Sequence, residues 1–183
     1  MKKQKGFTLL EILIVVVIAV SVAAFALPAY KKMQDRTNYD AAQGVLIEVA
    51  NGLQMLQEEV KAAKAAGTAI SRYPVDAMVV KQSWQNDSRI EPDMPLTAQY
   101  GYLVPFARKY ISPLPLDSSD TYKNYQFIWC PDGIASSSYC CQGDSSVVAC
   151  MYDPNYATRA TKGEYYGAVY YDDGTVQRIP KRS

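Results

Sequence analysis

The chain has 183 residues, 49% of them hydrophobic, which suits one domain plus a membrane segment rather than two full domains. The net charge is +1 and there is no histidine. A global field for nucleic acid is therefore excluded, and the commonest general base and metal ligand are both missing.

Charge is uneven along the chain. Removing Lys2, Lys3 and Lys5 from the 19 basic residues leaves 16 against 18 acids, a net of −2 for the rest. After this basic leader comes Gly6. From Phe7 to Ala29 the chain is apolar except for Thr8, Glu11, Ser21 and Pro28. At about 1.5 Å per residue, such a helix just spans a bilayer core of roughly 30 Å. Glu11 is anomalous there. A carboxylate at hydrocarbon depth costs at least about 2.5–3.5 kcal/mol on insertion scales, so it calls for a partner. A secretory signal peptide is one reading of the segment, with Ala24-Phe25-Ala26 as a small-x-small cleavage site, and an ordinary single-pass anchor is another. Neither has a use for Glu11.

Gly6-Phe7-Thr8-Leu9-Leu10-Glu11, after a short lysine-rich leader, resembles the signal of type IV pilins and their pseudopilin relatives. Ala26-Leu27-Pro28-Ala29-Tyr30 also matches that family, including its helix-bending proline. The resemblance covers about the first thirty residues. It implies cleavage after Gly6 by a prepilin peptidase, N-methylation of Phe7, and an assembly role for Phe7, Glu11 and Pro28. It also supplies a partner for Glu11. Cleavage frees an amine on Phe7, and the Phe7 amine of a neighbouring subunit can neutralise Glu11 and set the axial register of a filament. The implied function is that of a major or minor structural subunit of a type IV pilus used in adhesion, twitching motility or DNA uptake. Its partners are then other pilins, the peptidase, an inner-membrane assembly platform and, before assembly, the lipid bilayer. The implied location is the inner membrane first and the extracellular pilus afterwards. A pseudopilin of a type II secretion system, with a periplasmic filament, is the alternative. A periplasmic binding domain with an ordinary signal peptide is the second.

Beyond Tyr30 polar residues enter, and then Leu46, Val49, Leu53, Leu56, Val60 and Ala63 recur in steps of three and four. That is one face of an amphipathic helix. One nearly continuous helix is expected from Phe7 to about Ala66, roughly 90 Å long. It bends near Pro28 and ends at Gly67. Gly44 and Gly52 lower its propensity and allow close packing or bending. The stripe is expected to cover this protein's own sheet, not a coiled-coil partner.

After Gly67 the composition shifts to tyrosine, proline and serine. Arg72 to Asp76 resembles the tight segment after the long helix of pilins. Residues 81–98 read as irregular with one short helical turn. Tyr100 to Phe106, Tyr122 to Cys130, Tyr165 to Tyr171 and Thr175 to Ile179 read as strands. Asp173-Gly174 between the last two favours a type I′ turn. The fold class is α+β: a long N-terminal helix whose second half lies on an antiparallel sheet. The expected division is a leader (1–6), a membrane or filament-core half-helix (7–29), an amphipathic half-helix (30–66) and a β-rich head (67–183).

Cys130, Cys140, Cys141 and Cys150 allow three pairings. A bridge between adjacent Cys140 and Cys141 is strained. Two pairings stay open: 130–140 with 141–150, or 130–141 with 140–150. The segment from Pro131 to Ala149 reads as a Gly- and Ser-rich loop that needs such staples, and pilins commonly close a C-terminal loop this way. Intervening stretches of nine, zero and eight residues do not match zinc spacing, and C-x-x-C is absent. No phosphate loop, catalytic motif or calcium loop is present. Asp172-Asp173, Asp117 and Asp120 read as turn residues. No enzyme activity, metal or cofactor is expected. Fifteen tyrosines read as sheet packing. Arg159, Lys162, Arg178, Lys181 and Arg182 form a possible basic patch for weak nucleic-acid capture.

Overall fold

The computed structural model describes residues 8–68, 77–96, 101–131, 140–141, 144, 146–155 and 166–179. The segment at 72–76 and four members of the basic patch (Arg159, Lys162, Lys181, Arg182) lie outside the described residues. The chain divides into two units, Met1–Thr37 and Asn38–Ser183. Helix α1, Leu9–Ala65, belongs to both. Pro28 lies inside it.

In the second unit, α1 buries Leu46, Val49, Leu53, Leu56 and Val60 of the stripe anticipated from the spacing, while Ala63, its last member, is only half-buried. Tyr39, Ala42, Ala50, Gly52 and Gln57 widen it. Its end is built by Gly67, whose φ of 79° suits a residue without Cβ. The Thr68 N–H donates to the Ala63 carbonyl and the Gly67 N–H to the Lys64 carbonyl, both at 3.0 Å. This double return is a Schellman motif, which satisfies carbonyls the helix leaves unpaired.

The remaining elements are β1 (Met78–Val79), α2 (Gln82–Gln85), a 3₁₀ turn (Gly101–Leu103), α3 (Val104–Ala107), β2 (Thr121–Tyr122), β3 (Tyr125–Trp129), β4 (Val147–Tyr152), β5 (Gly167–Tyr171) and β6 (Val176–Arg178). The sheet runs in the order β1-β3-β4-β5-β6, with β2 also on β3, and every pairing is antiparallel. Period-two alternation divides it into two faces. Tyr125, Phe127, Trp129, Ala149, Met151, Ala168 and Tyr170 pack with the buried residues of α1. Ile128, Cys130, Cys150, Tyr152 and Val169 point to a second cluster on the other face. Tyr39 makes an edge contact with Tyr125 at 5.9 Å between ring centroids.

Four expectations are corrected. The strand expected from Tyr100 to Phe106 is helical from Gly101 on, Tyr100 lying outside the described residues, because Pro105 cannot donate to a ladder yet suits the first turn of α3. The expected strand from Tyr122 to Cys130 is broken by a two-residue turn. Lys123 and Asn124 both have positive φ, 52° and 77°, which makes the type I′ hairpin that joins β2 to β3. The turn after β5 is not type I′. Asp173 keeps a negative φ and only Gly174 is left-handed, at 84°. The Gly174 N–H bonds to the Tyr171 carbonyl and the Tyr171 N–H to the Thr175 carbonyl. That is a three-residue loop, a type I turn closed by a glycine bulge. Finally, the supposed Gly- and Ser-rich loop ends in β4, a central strand buried along its whole length. Val147 to Tyr152 is an unbroken apolar run, the pattern of a strand covered on both faces.

Candidate assembly segment and cysteine cluster

Helix α1 begins at a reciprocal cap. The backbone N–H and the hydroxyl of Thr8 both donate to Oε2 of Glu11, at 2.8 Å each. The Glu11 N–H donates back to the Thr8 hydroxyl oxygen at 3.2 Å. This is a capping box, which satisfies donors that have no partner inside the helix. Its signal, a threonine three residues before a glutamate at the head of an apolar run, is present in the sequence. Glu11 therefore has a local role at the start of the helix. Neither donor carries a charge, so the cap positions the carboxylate without neutralising it. Gly6 and Phe7 lie outside the described residues.

From Leu9 to Leu27 the large apolar side chains are exposed on every side of the helix, Leu9 and Phe25 by more than 80%. By length and composition this part of α1 is a candidate membrane span. Its polar interruptions are satisfied internally: the Ser21 hydroxyl donates to the Val17 carbonyl at 2.7 Å. A helix that is apolar all round belongs in a bilayer or inside an assembly. Lys31 and Lys32, which follow it, are exposed.

The second unit places all four cysteines together. Cys130 is bonded to Cys141 and Cys140 to Cys150, with Cα separations of 5.7 and 6.1 Å. This decides between the two pairings left open. Each bridge links one member of the Cys140-Cys141 dipeptide to the sheet, through Cys130 at the end of β3 or Cys150 within β4. The sulfurs of Cys130, Cys141 and Cys150 lie within 4.8 Å of one another. As disulfide sulfurs they are not the thiolates that hold zinc.

The acidic loops act as turns. Oδ1 of Asp117 accepts from the N–H groups of Ser119 and Thr121, and Oδ1 of Asp173 from that of Thr175. Oδ1 of Asp120 accepts from the Gln82 N–H at the start of α2. The hydroxyl of Thr121 comes first among the bonds that hold the Asp117 carboxyl below its ordinary value. Arg178, the described member of the basic patch, lies over the Tyr39 ring at 5.4 Å, so part of its charge is engaged within the fold.

The site that emerges is an uncovered apolar helix headed by a capped carboxylate, followed in the chain by a stapled α+β unit. Known proteins match at the same end. A family model described as a prokaryotic N-terminal methylation motif matches residues 1–27. Type IV major fimbrial proteins FimA of Dichelobacter nodosus, one of them from strain VCS1703A, are 47% identical over 55 residues. The match covers 28% of this chain and 34% of each relative, so the chain spans about a third of the length of the curated relatives it matches. No solved structure matches the chain.

Proposed function

We infer that this chain, whose N-terminal segment is that of a type IV pilin, is a structural subunit of a type IV pilus. The observation that carries the reading is the methylation motif at residues 1–27, continued by an apolar helix that its own fold leaves uncovered. Such a helix is stable in two settings, a bilayer and the interior of a helix bundle. Residues 7–29 serve in the first as a precursor anchor and in the second as the filament core. Residues 30–66 and 67–183 form the part of the subunit that faces outward.

A prepilin peptidase cleaves after Gly6, and Phe7 becomes the methylated N-terminus. The new amine on Phe7 of one subunit then meets Glu11 of another. An inner-membrane platform supplies the work of extraction. The subunit's work is assembly, not catalysis, and its destination is the cell surface.

The decisive measurement is the mass of the mature N-terminus. A chain that begins at methylated Phe7 supports the reading, and one that begins at Leu27 overturns it. The capping box sharpens the test of the charge pair. Glu11→Ala removes both the cap and the charge, whereas Glu11→Gln keeps an acceptor for Thr8 and removes the charge alone. Breaking a buried pair costs roughly 3–5 kcal/mol, more than two powers of ten in an equilibrium constant. Glu11→Gln is therefore expected to abolish filaments visible by electron microscopy while the precursor stays in the membrane. Filaments at the normal level would refute the pairing.

A further inference from the structure

We propose that the cysteine cluster is an exchange centre: loss of one bridge converts the pair 130–141 and 140–150 into a single Cys130–Cys150 bridge and a free Cys140-Cys141 dithiol. The observation is a contact between the two disulfides. Sγ of Cys130 lies 3.8 Å from Sγ of Cys150, to which it is not bonded. Both residues are held by the sheet itself. Cys150 pairs with Ile128 on one side and Val169 on the other, and the Cys130 N–H donates to the Val148 carbonyl at 2.9 Å. The backbone therefore keeps these diagonal neighbours close on one face of the sheet whatever happens to the dipeptide. Cys140 and Cys141 belong to no strand and reach the sheet through the bridges.

The chemistry balances from either side. A small dithiol reduces the Cys130–Cys141 bridge and is itself oxidised to a cyclic disulfide. The two electrons leave Cys130 and Cys141 as thiols. The Cys130 thiolate attacks Sγ of Cys150, the S–S bond to Cys140 breaks, and Cys140 leaves as a thiolate that takes up the proton Cys130 lost. If Cys140–Cys150 is reduced first, the Cys150 thiolate attacks Sγ of Cys130 and Cys141 leaves. Both routes end at the same species. No other pairing joins two residues that the backbone ladder already holds together. All four cysteines are buried, so the first reduction is the slow step and the exchange that follows is intramolecular. The sheet keeps a covalent tie between β3 and β4, and the dipeptide is released from it as a reactive pair.

The test is limited reduction of the full chain in detergent with dithiothreitol, trapping by iodoacetamide, and peptide mapping by mass spectrometry. The expected two-electron product carries both labels on Cys140 and Cys141, with the Cys130 and Cys150 peptides cross-linked. Labels on any other pair, or loss of both bridges together without a singly bridged species, would overturn the proposal. A second measurement uses the double variant Cys140→Ser with Cys141→Ser, oxidised in air. The expected result is one Cys130–Cys150 bridge and complete loss of free thiol. Two free thiols in the folded variant would count against it.

Discussion

Gly44 and Gly52 are two turns apart on α1, and the same substitution is expected to act on them in opposite directions. Alanine raises intrinsic helix propensity over glycine by about 0.8–1 kcal/mol. At Gly44, which is exposed, an added Cβ meets nothing within 4 Å. Gly44→Ala should therefore gain most of that amount. At Gly52 the same Cβ falls 2.5 Å from the carbonyl oxygen of Tyr110 and 2.5 Å from Cγ1 of Ile111. Ordinary contact is about 3.5–4.0 Å, so α1 and the segment after α3 must separate by roughly 1 Å. One of the obstructing atoms is backbone and cannot rotate away. Overpacking costs about 1–3 kcal/mol, and a clash with fixed backbone belongs to the upper half of that range, about 2–3 kcal/mol, so a net loss of about 1–2 kcal/mol remains after the propensity gain. For a chain of this size, 1 kcal/mol moves the melting temperature by about 2–4 °C. Gly44→Ala should raise it by roughly 2–4 °C and Gly52→Ala should lower it by roughly 2–8 °C. The assay is thermal unfolding of the detergent-solubilised chain followed by near-ultraviolet circular dichroism. Both tryptophans, Trp84 and Trp129, are buried in the second unit, so the signal reports that unit. Equal stabilisation by both substitutions would refute the close approach of α1 to residues 110–111.

Two further outcomes test the same packing. Leu53 is fully buried against the sheet while Met55, two residues on, is 55% exposed. Leu53→Ala should cost about 2–5 kcal/mol and Met55→Ala less than about 0.5 kcal/mol, read from the same melts. The hydroxyl of Tyr110 donates to Oε2 of Glu59 at 3.0 Å, and Arg108 pairs with Oε1 of the same carboxylate at 3.2 Å. Burial first, and then the bond to Glu59, hold the Tyr110 pKa above its ordinary 10.0. A raised folded pKa means that the unfolded chain ionises first. The contribution is full below pH 10 and is lost as pH rises from there through the folded value. Tyr110→Phe should remove part of the alkaline loss of stability between those limits, and an unchanged pH profile would contradict the assignment.

The N-terminal half of this protein was legible because its signals are local. A glycine, a lone glutamate and an unbroken apolar run are read along the chain, and the 3–4 spacing from Leu46 to Val60 fixes a helix face wherever the partner lies. Gly67 ended the helix as expected because a left-handed cap is a property of one residue. The Thr8 to Glu11 capping box is equally local, a threonine and a glutamate three residues apart. The head was less legible. Val147 to Tyr152 follows a polar stretch in the chain, yet it forms the central strand. Only pairing with β3 on one side and β5 on the other gives that run its role. The disulfide connectivity was undecidable from spacing, since both open pairings close loops of about ten residues with nearly equal chain entropy. The tertiary structure decided it: the ladder brings Cys130 and Cys150 near each other, and the placement of the dipeptide sets Cys141 against Cys130 and Cys140 against Cys150. The sequence by itself thus determined which segment must leave water and where its one charge sits. The tertiary structure alone decided which strands meet and which sulfurs bond, because those depend on residues far apart in the chain.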